Sequence, residues 1–148
     1  MVYWGGCLCL CACSNSPVSW SPQALTDTSG VVIVCDATRG NRGLYGYKGD
    51  VFVHIGVVTD LSSEPDGWTH VKFTWGSSGK SAKMQPLGEN KWSYRIDNIR
   101  KFFEAPDDEK ILKIAILFRS ANLKDSCYAL RAASGGNLFI PVNDVHVP

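Results

Sequence analysis

The sequence lacks an excess of charge of either sign, since 15 Lys and Arg residues face 14 Asp and Glu residues. Without a clustered positive field, we expect no nucleic-acid partner. No run of about 20 consecutive apolar residues is present, which excludes a transmembrane helix. The six cysteines lack the paired spacing of zinc sites. The glycine-rich stretch at residues 40–50 lacks the Lys-Ser/Thr pair and following helix of a phosphate loop, and there are no internal repeats.

The N-terminal residues 1–13 are apolar and contain four of the six cysteines. The change to polar residues at Ser14 is typical of the end of a secretory signal. LCAC, at residues 10–13, resembles a bacterial lipobox, in which the last cysteine (here Cys13) receives lipid. The run is short and no Lys or Arg precedes it, so we interpret residues 1–13 as a signal and lipobox remnant. The alternative is a hydrophobic tail without function. Residues 14–30, rich in Ser and Pro, predict a flexible linker.

Apolar patterns in the remaining segment, residues 31–148, predict seven or eight short strands separated by turn signals. The strands are expected at residues 31–36, 50–60, 69–75, 82–87, 91–96, 110–119, 128–131 and 137–142. One short helix is expected at residues 97–105, with Asp97 or Asn98 as its cap and Pro106 as its stop. Short strands with turns about every 8–12 residues predict an all-β fold, a two-sheet antiparallel sandwich.

Alternation along the strands assigns side chains to faces. Phe52 and His54 are expected on the face away from the core, and Gly56 is expected to interrupt their strand. Three large aromatic residues fall on the core-facing positions of their predicted strands and are therefore expected to be buried: Trp75, Trp92 and Tyr94.

Several motifs occur in a recognisable order: VVIVCDAT (residues 31–38), GNRGLYGYKGD (40–50), DVFVHIGVVT (50–59), Trp68, Trp75-Gly76, IDNIR (96–100) and IAILFR (114–119). Together they resemble the N-terminal β-sandwich modules of alpha-amylase-family glycoside hydrolases and related surface lipoproteins of Bacteroidetes. The resemblance covers residues 31–142. It implies an immunoglobulin-like, starch-binding-type module on an exported, lipid-anchored protein of the outer membrane or cell surface.

Such modules normally precede an alpha-amylase-type catalytic domain. This chain ends at Pro148 without one, so we expect either a truncated enzyme or a module that stands alone. A glycosidase needs two carboxyl groups about 5–10 Å apart across a cleft. The candidate acids all lie at turns or strand ends, where acids are common for structural reasons: Asp50, Asp60, Asp66, Asp97 and Glu104. We therefore expect no catalysis by the module itself, and no cofactor or metal.

Sugar binding needs flat aromatic faces together with polar side chains for hydroxyl groups. The loop aromatics Trp68, Tyr45 and Tyr47 are the candidates for stacking, with His54 and Asp50 as polar partners. The expected ligand is an α-glucan such as starch, or another polysaccharide. Alternatively, these aromatics anchor their own loops, and the domain is a spacer that holds a catalytic domain and has no glycan affinity. Whether Cys35 and Cys127 form a disulfide stays open.

Overall fold

The structure is a computed structural model that describes residues 15–76, 78–122 and 127–143. The predicted signal remnant and the lipidation of Cys13 lie outside the described residues, as do residues 144–148 at the end of the predicted module. No helix in the described part of the chain has both the length and the apolar character that a membrane span requires.

The described residues form two antiparallel sheets. The first sheet has the order β1-β2-β5-β4, formed by Val18–Ser21, Val31–Asp36, Lys91–Ile96 and Gln85–Gly88. In the second sheet, β3 (Val51–Thr59) pairs with β6 (Ile111–Ser120). Both β7 (Ala129–Leu130) and β8 (Leu138–Pro141) pair with β6. Because β3 pairs along the whole of β6, β7 and β8 lie on the opposite side of β6.

This strand order is that of an immunoglobulin-like sandwich. In the constant-type fold, the first, second, fifth and fourth strands share one sheet, and the third, sixth and seventh share the other. Strands β1 to β6 follow that order, while β7 and β8 together occupy the place of the seventh strand. The predicted all-β, two-sheet sandwich is therefore confirmed.

The core lies between the two sheets and is built from alternate residues of the central strands. Val53 and Ile55 of β3 lie opposite Phe118 and Ile116 of β6, and all four are almost completely buried. From the first sheet, β2 and β5 contribute Ile33, Cys35, Trp92, Tyr94 and Ile96. Burial at Trp92 and Tyr94 confirms the prediction made from alternation.

The predicted helix is present but shorter, spanning Ile99–Phe103 (α1). Asn98 caps it, because its side-chain oxygen accepts a hydrogen bond from the Lys101 backbone N–H at 3.0 Å. Ile99 and Phe103 are buried against the core. The helix ends at Glu104, which adopts a left-handed conformation with φ 55°.

The predicted flexible linker at residues 14–30 is wrong for its described part. Val18–Ser21 forms β1, which pairs with β2. Leu25 and Asp27 are buried, and Asp27 forms a 2.8 Å ion pair with the buried Arg100 of α1. The Arg100 backbone N–H also donates to the Asp27 carbonyl at 2.7 Å. These long-range contacts incorporate a Ser- and Pro-rich segment into the domain, although its composition is typical of a linker.

The predicted strand at residues 69–75 is also wrong. In the described residues this stretch has a single β-bridge, between Thr69 and Val57, followed by a bond from the Lys72 N–H to the Ile55 carbonyl at 2.9 Å. The strand predicted at residues 82–87 is confined to Gln85–Gly88 and follows a 3-10 turn at Lys80–Ala82. The segment 61–76 instead follows the free edge of β3 at Thr69 and Lys72. It places Trp68 and Trp75 over the outer face of the second sheet, which is the face turned away from the core.

Candidate functional site

The covering segment, residues 61–76, is held against the sheet by a cluster of polar side chains. The buried carboxylate of Glu109 accepts a hydrogen bond from the Thr59 hydroxyl at 2.6 Å and lies 2.8 Å from His70 Nε2. Burial alone would raise the pKa of Glu109, but the hydrogen bonds from Thr59 and His70 lower it overall. Lys72 adds an ion pair with Glu104 at 3.1 Å. The covering segment is therefore fixed along its length.

Gly56 permits the close approach of the covering segment to β3. A Cβ atom at this position would lie 3.1 Å from the Thr69 carbonyl oxygen, 3.1 Å from Val71 Cγ2 and 3.4 Å from Trp68 Cε3. The strand runs through Gly56 without interruption, so the predicted break there is wrong. The missing side chain instead leaves space for Trp68 above the sheet.

Three aromatic rings meet beside Gly56. The His54 ring stacks on the Trp68 ring, with centroids 5.3 Å apart and an interplanar angle of 28°. Trp75 meets His54 edge-on at 4.9 Å. These rings line an open depression of about 220 Å³, the aromatic depression, whose full lining is His54, Trp68, Trp75, Leu117, Arg131 and Asn137.

The aromatic depression has a cationic character. Partial burial lowers the pKa of His54 below its usual value, and the positive charges of Arg119 and Arg131 lower it further. Arg119 is buried, with its guanidinium carbon 5.5 Å from the Phe52 ring centroid and 5.7 Å from that of Trp75. No carboxylate among the described residues lines the depression.

The glycine-rich loop positions Arg131 through the backbone. Asn41 Oδ1 accepts a hydrogen bond from the Arg131 N–H at 2.9 Å, and the Asn41 N–H donates to the Arg131 carbonyl at 3.0 Å. Close contact is possible because Gly43 has no side chain: a Cβ there would lie 1.7 Å from the Ala129 carbonyl oxygen. The loop thus fixes the chain around β7, including the backbone position from which the Arg131 side chain extends.

The five predicted binding residues fall into separate surroundings. His54 and Trp68 lie together in the aromatic depression. Tyr47 and Asp50 line a different depression of about 260 Å³ beside the β4–β5 turn, where Asp50 lies 3.5 Å from Lys83 Nζ. Tyr45 lines neither depression; it is 56% exposed, with the Arg42 guanidinium carbon 4.3 Å from its ring centroid.

Tyr47 packs against the core and meets Tyr128 edge-on at 6.1 Å. Among the described residues, its depression offers one further ring, that of Trp92, which is buried in the core. A sugar stacking there would have little free aromatic surface. The aromatic depression provides more, because Trp68 and Trp75 are both partly exposed.

Four residues that line the aromatic depression were not predicted as binding residues: Trp75, Leu117, Arg131 and Asn137. Trp75 was assigned to the core, yet it is 45% exposed, because residues 69–75 do not follow the alternation of a strand. Arg131 and Asn137 carried no motif; they reach the site because β7 and β8 both pair with β6. A partial signal existed, since His54 was correctly placed on the outer face of β3.

The described residues contain no group of three or more His, Cys, Asp or Glu side chains arranged to hold a metal ion. Cys35 and Cys127 are free thiols. Burial raises the pKa of the Cys35 thiol to about 12. Cys35 is thus a protonated core residue.

The chain matches no protein-family model and no curated protein. Its resemblance to the amylase-associated modules therefore stays a prediction from the motifs, and the immunoglobulin-like sandwich stands on the strand order alone.

Proposed function

We propose that the chain is a non-catalytic carbohydrate-binding module and that the aromatic depression is its binding site. The observation that carries the proposal is the meeting of His54, Trp68 and Trp75 on an open surface beside Arg131 and Asn137. Aromatic rings pack against the apolar faces of sugars, and a few polar groups at the rim bind hydroxyl groups. Asn137 supplies an amide with both a donor and an acceptor.

The size and rigidity of the depression favour a short stretch of glycan. Its volume of about 220 Å³ lies below the range of about 300–1,000 Å³ typical of enclosed ligand pockets. An open site of this size suits one or two sugar units of a longer chain. The hydrogen bonds that hold the covering segment keep Trp68 and Trp75 in place, which lowers the entropy lost on binding.

Local partners of the candidate acids support a non-catalytic role. Each of them interacts with a nearby cation or backbone N–H: Asp50 with Lys83, Asp60 with the Lys110 N–H, Asp66 with Lys113, Asp97 with Arg95, and Glu104 with Lys72. None lines the aromatic depression. We propose that any hydrolysis belongs to a partner catalytic domain, as the resemblance implies, with export and lipidation at Cys13 as further predictions.

A glycan array probed with the full chain tests the proposal, with α-glucans included because the resemblance implies them. Trp75→Ala is expected to abolish binding to the array, since it removes an exposed ring that is not part of the buried core. Tyr45→Ala is the matched control, because it removes a similarly exposed ring outside the depression. Absence of binding to every glycan would contradict the proposal and favour a structural spacer. Equal loss of binding in both variants would contradict the assignment of the site to the aromatic depression.

A further inference from the structure

The aromatic depression combines sugar-type stacking surfaces with positive charge. Arg131 lines the depression, and the buried Arg119 has its guanidinium carbon 5.7 Å from the ring centroid of Trp75, which also lines it. Partial burial lowers the pKa of His54, and the positive charges of both arginines lower it further. Neutral sugars do not require this arrangement, because hydroxyl groups are bound equally well by amides and carboxylates.

Arg131 is available to a ligand. Among the described residues, no carboxylate forms an ion pair with its guanidinium, and none lines the depression around it. Both its backbone N–H and its carbonyl are hydrogen-bonded to Asn41, so the side chain extends from a fixed backbone position. A guanidinium presents two parallel N–H groups that match the two oxygens of a carboxylate or sulfate.

We propose that the aromatic depression binds a negatively charged sugar, either a uronate or a sulfated sugar; this inference rests on the proposed function. The anionic group of the sugar binds Arg131, and its ring packs against Trp68 and Trp75. This ligand class differs from the neutral α-glucan that the sequence resemblance implies.

The specificity difference is measurable by isothermal titration calorimetry of the full chain with trigalacturonate, its methyl ester, a sulfated galacto-oligosaccharide and maltotriose. At least one charged sugar is expected to bind about tenfold or more tightly than the uncharged ligands, as a charge-assisted contact allows. Its affinity should fall as sodium chloride rises from low to high concentration. Which charged sugar binds better identifies the anionic group.

Arg131→Gln is expected to remove the preference for charged over uncharged sugars. Arg95→Gln is the control, because Arg95 is an exposed arginine of the first sheet, paired with Asp97. Arg131→Lys keeps the charge but loses the paired N–H groups, and should show an intermediate preference. Circular dichroism of each variant establishes that it is folded.

Equal affinity for trigalacturonate and its ester, with no binding of the sulfated sugar, would overturn the inference, as would an unchanged preference in Arg131→Gln. Sodium acetate or sulfate binding as tightly as the charged sugars would also overturn it, because the site would then recognise an anion alone. If any of these outcomes is found but maltotriose binds tightly, the proposed function still stands. Failure of every sugar, charged or neutral, would contradict both.

Discussion

Replacement of Asp27 by alanine is expected to destabilise the domain by about 3 kcal/mol, because removing one partner of a buried ion pair costs about 3–5 kcal/mol. Asp27 is 1% exposed, and its carboxylate lies 2.8 Å from Nε of the buried Arg100. The lower end applies because Arg100 Nη1 still donates to the Pro106 and Glu109 carbonyls at 2.7 and 2.9 Å. Urea denaturation measures the change in the free energy of unfolding. The slope of this free energy against urea concentration should be unchanged if the native state stays compact.

Thermal unfolding provides a second measurement. A loss of about 3 kcal/mol should lower Tm by about 6–12 °C, at about 2–4 °C per kcal/mol for a chain of this size. Thr28→Ala is the control, because Thr28 is the exposed neighbour of Asp27 and its truncation should change stability by at most about 0.5 kcal/mol. Equal stability of the two variants would refute the assignment of Asp27 and its ion pair with Arg100 to the folded core of the domain.

Three further predictions concern the covering segment, the glycine-rich loop and the core. Because Glu109 has a lowered pKa in the folded chain, its contribution to stability is present above the ordinary value of 4.5 and is lost as pH falls through the lowered value. Chemical denaturation of Glu109→Gln between pH 3 and 7 should accordingly show a flatter acid-side decline than the parent. Gly43→Ala should destabilise the fold and weaken glycan binding, because its Cβ would clash with the Ala129 carbonyl; comparable stability and affinity would show that the loop does not position β7. Burial raises the pKa of Cys35 to about 12, so iodoacetamide at pH 8 should modify Cys127 in the native chain and Cys35 only after unfolding, as judged by peptide mass mapping.

Short apolar strands separated by regularly spaced turns were sufficient to predict the sandwich. VVIVCD is a continuous apolar run and KWSYRI alternates, and the structure pairs these two strands in register from Val31–Ile96 to Asp36–Lys91. The long apolar run of β6 is typical of a central strand, and β6 pairs with other strands along both of its edges. Such strands are predictable because burial of one or both faces dominates their choice of residues.

The two regions predicted wrongly depend on contacts with distant residues. Residues 15–30 lack a strong apolar pattern, and their place is fixed by pairing with β2 and by Arg100, which lies 73 residues after Asp27. The stretch HVKFTW alternates like a strand, but its backbone follows the edge of β3 only through the Lys72 bond to the Ile55 carbonyl. Its side chains contact groups distant in sequence: His70 lies beside Glu109, and Trp75 meets His54.

The candidate site was predictable only in part for the same reason. His54 follows from strand alternation and Trp68 from its place in a loop, and the structure brings these two together. Arg131 joins them through the pairing of β7 with β6 and through Asn41, neither of which leaves a local pattern. In the glycine-rich loop, the tyrosines were predicted to bind the ligand, whereas the structural contribution of the loop comes from Asn41 and Gly43.

Tryptophan indole N–H resonances provide the most direct test of binding at the aromatic depression, because each ring gives its own signal in a nitrogen–proton correlation spectrum. Addition of a glycan that the array identifies should shift the indole signals of Trp68 and Trp75. The signals of Trp20, whose Nε1–H is bonded to the Gln23 carbonyl at 3.1 Å, and of the buried Trp92 should stay in place. Shifts confined to Trp20 or Trp92, or no shift in any ring at saturating glycan, would contradict a carbohydrate site in the aromatic depression.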